Sequence, residues 1–282
     1  MVWKMMARCL PSKAYLSLRY HTVHGRWIDW NNPTAFTEKL QWLKLYGCRP
    51  EYSELVDKVR VKDVVRGCMG DECIIPTIGI WDSADKIDFD ALPERFVLKC
   101  NHDSGTCVIC RDKAALDREA ARSILARALA TDYYSKGRET PYRSVPRKIL
   151  AEEYLEHDGD LVDYKFFCFN GEPKVVKIDY DRSSAHHANY YDIDMNLLPF
   201  FKKSSKPDVP RHFEKPDNYA AMVEMAKKLS ADMPFVRIDL YNVDGKIYFG
   251  EMTFFPSSGF EPLTDPAWDE KLGSWITLPE KR

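Results

Sequence analysis

The chain has 282 residues, 45% of them hydrophobic and 30% charged, with a formal net charge of -2. That is enough chain for a large core or for two or three subdomains, and the near-balanced charge argues against a general nucleic-acid binder. No apolar run approaches the roughly 18 residues that a transmembrane helix needs.

In chain order, the N-terminus MVWKMMARCLPSKAYLSLRYHTVHGRW lacks both a continuous apolar segment and a small-residue cleavage site, so no signal peptide is expected. Lys4, Arg8, Lys13, Arg19 and Arg26 stand against Asp29 alone. Such a basic stretch suits either an anionic membrane surface or a solvated helix docked on the domain, and the docked helix is expected. Peripheral membrane contact stays open without being predicted. Residues 34–70 read as helical: TAFTEKLQWLKLY starts at Thr34 or Thr37 as cap, and EYSELVDKVRVKDVVRG continues until Gly67 and Gly70 stop it. ECIIPTIGIWDS is a β-rich run interrupted by Pro76, and FVLKC at 96–100 is a second strand.

The polar loop NHDSGT leads into CVIC, and then DKAALDREAARSILARALATDYY shows one apolar helical face of Leu116, Ala120, Ile124, Leu125, Ala128 and Leu129. Cys107 and Cys110 have the spacing of half a zinc site, but no second pair follows. Thiols on a strand are the expectation, and with no signal sequence the eight cysteines read as reduced and cytosolic. RKILAEEYLE is a strand followed by a reversal. LVDYKFFCF and EPKVVKIDYD around Asn170-Gly171 make the strongest hairpin signal, and ANYYDIDMNLLPFF suggests another short strand pair. KSSKPDVPRHFEKPDN reads as a polar linker, NYAAMVEMAKKLSAD as a helix, and PFVRIDLYNVDGKIYFGEMTFFP as a hairpin turning at Asp244-Gly245. A loop and a short helix follow Ser257-Ser258-Gly259. The class is α+β with hairpin-built antiparallel sheets.

Four segments carry chemistry. On the last hairpin Arg237 and Asp239 share one strand face, as do Glu251 and Thr253 on the return. The two pairs meet only if the loop has odd length or a bulge interrupts a two-residue turn. Together they offer a guanidinium, two carboxylates and a hydroxyl, hard oxygens for magnesium beside a forked cation for a phosphoryl group. A solvated face with cross-strand salt bridges is the competing reading. Lys99 precedes a Gly/Ser loop whose amides can cradle phosphate, where a plain surface turn is the alternative. The exit of ILAEEYLE offers backbone groups flanked by apolar side chains, as an adenine site needs. DYKFFCF sets Asp163 and Lys165 on one face, with Phe166 and Cys168 on the other.

In this order FVLKCNHDSG, ILAEEYL, DYKFFCFNGEP and VRIDLYNVDGKIYFGEMTF resemble the ATP-grasp superfamily, and specifically its TupA-like branch, which serves the synthesis of bacterial cell-surface polysaccharides and teichuronopeptide. The resemblance runs from NPTAFTEKLQWLKLY to LGSWI. It implies nucleotide held between two α+β subdomains, 71–145 and 146–282, behind an N-terminal helical region, 1–70. It further implies ATP and Mg²⁺, with Lys58 or Lys62 as an early phosphate lysine and Lys99 on the α/β-phosphates. His102, Ser104, Gly105 and Thr106 would form the mobile phosphate loop, and Glu152, Glu153, Tyr154 and Leu155 the adenine hinge. Lys165 would face the acyl phosphate and Arg237 the γ-phosphoryl group, with Asp239, Glu251 and Thr253 on the metal.

Two features depart from the superfamily pattern. Thr253 stands where asparagine is usual, which puts a second metal in doubt, and Asp103 stands where glycine is easier beside phosphate. The implied reaction is carboxylate–amine ligation through an acyl phosphate. Its partners are a carboxylate-bearing glycan or precursor, a uronic acid among the candidates, and an amine donor, in the cytoplasm or at the inner face of the membrane. His186-His187 offers a base for the amine or an idle surface pair. A phosphotransferase on the same fold and a glycosyltransferase using Asp192-Ile193-Asp194 are the alternatives, and 181–216 is where the acceptor and amine would be sought.

Overall fold

The computed structural model describes residues 10–157, 161–180, 187–204 and 215–281. Helix α1 (Ser12–His24) buries Leu16 and Tyr20 against Ile28 and Phe260, so this helix is docked on the body of the protein, while Lys4 and Arg8 lie outside the described residues. Helix α2 (Phe36–Tyr46) starts at Ala35, not at a threonine cap. The Glu38 carboxylate accepts from the Thr34 and Ala35 amides (3.2 and 3.4 Å), while the Thr37 hydroxyl donates to Asp269 (2.7 Å). The following stretch is two helices, α3 (Tyr52–Val56) and α4 (Val61–Met69), parted at Asp57. Gly67 is inside α4, and only Gly70, at φ 87°, ends it.

Strands β1 (Thr77–Trp81), β2 (Phe96–Cys100) and β3 (Cys107–Cys110) precede helix α5 (Arg118–Leu129) and the short α6 (Tyr133–Gly137). The buried face of α5 is Ala121, Leu125 and Ala128, packed on Phe96 and Leu98; Ile124 and Ala120 fall outside it. The helical stripe is therefore narrower than the apolar letters suggest. Strand β4 (Ile149–Glu153) inserts between β1 and β2 and pairs antiparallel with both, giving a four-stranded sheet of order β1-β4-β2-β3. Residues 149–153 thus belong with the first sheet although they follow it at a distance in the chain.

The second sheet has order β7-β6-β5-β8-β9, all antiparallel, from β5 (Asp163–Phe169), β6 (Glu172–Tyr180), β7 (His187–Asp192), β8 (Phe235–Val243) and β9 (Lys246–Thr253), with helix α7 (Tyr219–Leu229) lying between β7 and β8 in the chain. Both hairpins turn on two residues at positive φ, Asn170-Gly171 (49° and 83°) and Asp244-Gly245 (50° and 78°), the turn whose twist matches paired strands. Of the expected pair in 188–201, β7 forms, and its partner is only a bridge, Tyr191 to Leu197. One face of this sheet packs on α7: Phe166 meets Tyr219 (5.9 Å between rings), and the Cys168 thiol donates to the Ala226 carbonyl. Burying each such large side chain is worth about 1.5–3 kcal/mol. Helix α8 (Pro266–Ser274) closes the body against α2, where Gly273 comes so near that a Cβ would lie 2.0 Å from the Thr34 carbonyl. Among the described residues no helix is long and apolar enough to cross a membrane.

Candidate active site

The sheets face each other across a cleft of about 580 Å³. On the four-stranded wall, strand alternation sends Phe96, Leu98 and Cys100 into the core and leaves Val97 and Lys99 facing the cleft. Lys99 Nζ is 2.7 Å and Lys62 Nζ 2.6 Å from opposite oxygens of Glu152. Burial alone would raise the Glu152 carboxyl; the two lysines outweigh it and hold it down at about 2. Lys62 also donates to the Ile75 carbonyl (2.7 Å) and Thr77 Oγ1 (2.8 Å), and burial lowers it.

This separates the two early lysines. Lys62 is spent on structure, whereas Lys58 lines the cleft, donates to the Asp103 carbonyl and is the first cation acting on Glu251 across the gap. Glu152 also lines the cleft, and its two ion pairs hold Lys99 and Lys62 in place. Glu153, Tyr154 and Leu155 do line the cleft, beside Ile75, Val97 and Ile109, so an apolar slot lies along a strand exit.

The loop after β2 divides. Ser104, Gly105 (φ 95°) and Thr106 line the cleft. His102 does not. It is 2% exposed, and its ring is turned toward the end of α5 and desolvated, which lowers its pKa. Asp103 is also folded inward, accepting from the Thr106 hydroxyl (2.5 Å), so its carboxylate is engaged within its own loop. Asn101 anchors the base, donating to Asp57 and to the Pro146 carbonyl (2.8 Å each) and accepting from the Lys148 amide (2.7 Å).

On the five-stranded wall, register does most of the positioning. Lys177, Lys165, Asp239 and Glu251 are successive cross-strand partners on β6, β5, β8 and β9. Arg237 and Thr253 form the next pair on one side of this row, and Asp163 with Asp179 the next pair on the other. The last hairpin reaches this parity through a bulge. Its turn has two residues, which would send Glu251 to the far face, but Leu240 pairs with Phe249 and Asp239 with Glu251, so Gly250 is the extra residue. A Cβ there would meet the Asp239 carbonyl at 3.0 Å and the Tyr241 ring at 3.2 Å.

The charges are tightly interlocked. Arg237 Nε and Nη2 donate to the two oxygens of Asp239 (2.6 and 2.7 Å), and Nη2 also reaches Glu251 (2.9 Å) and Thr253 (3.1 Å). Lys165 bonds Asp163 and Asp239 (2.8 Å for the latter), and Lys177 bonds Asp179 (2.7 Å). Burial would raise Glu251, but Lys58, Arg237 and Lys165 bring it to about 2. Asp239 and Glu251, with the Thr253 hydroxyl, fit a magnesium ion, which takes a few hard oxygens and completes its shell with water and phosphate.

Sequence reasoning missed Lys177, Asp179 and Tyr241, all cleft-lining. The Lys-Ile-Asp spacing at 177–179, opposite Asp163 and Lys165 in a hairpin with a legible turn, was the available signal. Asp192-Ile193-Asp194 is a turn: the Asp192 carboxylate accepts from the Asp194 and Asn196 amides (3.0 and 2.8 Å). His187 opens β7 and stacks on Tyr180 (5.7 Å); His186, with the rest of 181–186 and with 205–214, lies outside the described residues.

Among solved structures, the chain is similar to a D-alanine–D-alanine ligase from Bacillus anthracis complexed with ATP (16% identity, 79% of this chain and 63% of that one, TM-score 0.44). It is also similar to the VanG D-Ala:D-Ser ligase from Enterococcus faecalis (14%, 73% and 54%, TM-score 0.44). A third is the ATP-grasp ligase PsnB with a phosphomimetic precursor variant, Mg and ADP (13%, 73% and 52%, TM-score 0.42). The chain spans less than two thirds of the length of each of these. No curated protein matches it. The family described as TupA-like ATPgrasp matches residues 38–277, so the chain belongs to the TupA-like ATP-grasp family and has the ATP-grasp fold.

Proposed function

We propose that this protein is an ATP- and Mg²⁺-dependent carboxylate–amine ligase that works through an acyl phosphate and modifies a bacterial surface polysaccharide or its precursor. The observation that carries the reading is the row Lys165–Asp239–Glu251, with Arg237 and Thr253 beside it, facing Lys99 and the 104–106 loop across one cleft. The nucleotide's base would lie in the slot of Val97, Ile109, Tyr154 and Leu155 against the backbone of 153–155. Its phosphates would be held by Lys99, Lys58 and the amides of Ser104, Gly105 and Thr106. In this reading residues 1–70 brace the cleft, 71–145 supply most of one wall and 146–282 the other, with β4 crossing back to the first.

Asp239 and Glu251 would hold magnesium, which when bound supplies charge neutralisation on phosphate oxygens. Arg237 and Lys165, held on adjacent strands of the wall, would present positive charge to the transferring phosphoryl group once Asp239 and Glu251 engage the metal. An acceptor carboxylate oxygen bonds to the γ-phosphorus as the bond to ADP breaks. The amine then forms a C–N bond as phosphate and a proton leave. Cytoplasmic action, with the inner face of the membrane as one place for it, belongs to the same reading.

Calorimetric titration with a non-hydrolysable ATP analogue tests it. Mg²⁺-dependent binding that Glu251→Gln abolishes is the expected result. No binding of the analogue, with binding of a nucleotide sugar instead, overturns it. ADP release that requires an acceptor but never an amine would convert the ligase into a phosphotransferase.

A further inference from the structure

The polar row on the five-stranded wall does not end at Lys177. Its next cross-strand partner is Tyr190 on β7. The segment after β7 crosses this end of the sheet, pinned by a Lys202–Leu263 bridge and by the Thr264 amide donating to the Phe201 carbonyl (2.8 Å). It brings Lys202 within electrostatic reach of Lys177 and Arg237, with Asp179 and Glu261 the acids acting on it. Burial first, then the two neighbouring cations, bring Lys202 down to about 7. Three cationic heads therefore gather at one end of the wall, and the Asp179 carboxylate among them is already bonded by Lys177 at 2.7 Å.

Two further features mark this end as built. The Tyr190 hydroxyl is buried, with the side chain 2% exposed, and it has no hydrogen-bond partner among the described residues. A buried hydroxyl without a hydrogen bond is unfavourable, so a ligand that supplies the partner gains from it. Tyr190 and Lys202 line a cavity of about 20 Å³, room for roughly one water-sized group, while Lys177 and Arg237 line the cleft itself.

The second feature is the turn that carries Ser257, whose hydroxyl accepts from Lys202 at 2.6 Å. Ser257, Ser258 and Gly259 are consecutive left-handed residues (φ 51°, 54° and 63°), a strained conformation for the two serines. Buried groups hold them in place. Lys44 donates to the Ser258 carbonyl (2.7 Å), Gln41 to the Gly259 carbonyl (2.7 Å), and the Ser258 hydroxyl to Glu139 (2.6 Å).

We propose that Lys177, Lys202 and Tyr190 form the seat of the acceptor's carboxylate, at the end of the cleft beyond Arg237. The inference rests on the ligase reading and names the group its acceptor must carry. A carboxylate accepts only; the Lys177 and Lys202 heads and the Tyr190 O–H are donors, and a bound anion favours the charged form of Lys202. When Asp239 and Glu251 turn to a metal, Lys165 and Arg237 lose carboxylate partners. This wall then carries more cations than acids and takes a second anion beside the phosphates.

The test is calorimetry on the full chain saturated with Mg²⁺ and the ATP analogue, titrated with D-glucuronate and with D-glucose. Glucuronate is expected to bind and glucose not to. Lys202→Met and Tyr190→Phe should each weaken glucuronate about tenfold, leaving the affinity for the analogue unchanged. Thermal melts of the ligand-free variants separate a structural role: Tyr190→Phe removes an unpartnered hydroxyl, so its midpoint should stay or rise. Glucuronate that fails to bind, binds no better than glucose, or ignores both substitutions overturns the seat. If the analogue itself does not bind, the nucleotide reading fails, and glucuronate titrated without it still decides the seat.

Discussion

On the five-stranded wall the charges come from two hairpins and stand in cross-strand rows, Lys177–Lys165–Asp239–Glu251 and Arg237–Thr253, each head bonded to a neighbour two residues or one strand away. On the four-stranded wall Lys99 and Glu152 come from strands far apart in the chain, and the third member, Lys62, comes from a helix. The first arrangement follows from the period of a strand, since residues at i and i+2 share a face whatever surrounds them. The second exists only because β4 inserts between β1 and β2 and α4 packs beneath. Local periodicity sets the rows within each hairpin of one wall, which the β5–β8 pairing then joins, whereas the other wall's cluster is long-range throughout.

The comparison breaks most sharply at Gly250. Deleting it removes the bulge and sends Glu251 and Thr253 to the opposite face, and ADP release should fall by on the order of a thousandfold while circular dichroism still reports the sheet. Activity near wild type in the deletion would mean that register does not position this wall. Asp239→Asn and Glu251→Gln leave register intact and remove one carboxylate each. Mg²⁺-dependent ADP release should drop by roughly a hundred- to a thousandfold with the fold unchanged, and full activity in either variant would remove the metal assignment.

The other wall is sharpened by stability. Glu152→Gln leaves Lys99 and Lys62 without their shared buried carboxylate, and urea unfolding should register a loss of about 3–5 kcal/mol. The sign with pH is definite. Glu152 titrates at about 2 in the folded protein against an ordinary 4.5, so its contribution is complete above 4.5 and is lost as pH falls toward 2. The stability curves of the wild type and of the Glu152→Gln variant should therefore converge in acid, and a constant gap would place the stabilisation elsewhere. The smallest effect separates the two early lysines. Lys58→Ala should weaken the ATP analogue about tenfold with no change in melting temperature, and Lys62→Ala should lower the melting temperature first. Identical behaviour of the two variants would erase the distinction.

Much of this molecule is legible in its amino acids. The hairpins around Asn170-Gly171 and Asp244-Gly245, the buried Phe166 and Cys168, the cleft-facing Lys99 and the helices at 36–46, 118–129 and 219–229 follow from turn chemistry and from periods of 2 and 3.6, which act over a few residues. The same rule puts Asp163 and Lys165 on one face. Tertiary structure alone decided whether Arg237 and Glu251 meet, because one extra residue reverses parity and a bulge is stabilised by packing around it. It also turned His102 and Asp103 inward, gave Lys62 to Glu152 and Lys58 to the cleft, and set Tyr190, Lys177 and Lys202 together. These residues lie tens of positions apart, and what joins them is burial, where an unpaired charge is too costly to tolerate and each polar group must find whichever partner the fold brings near.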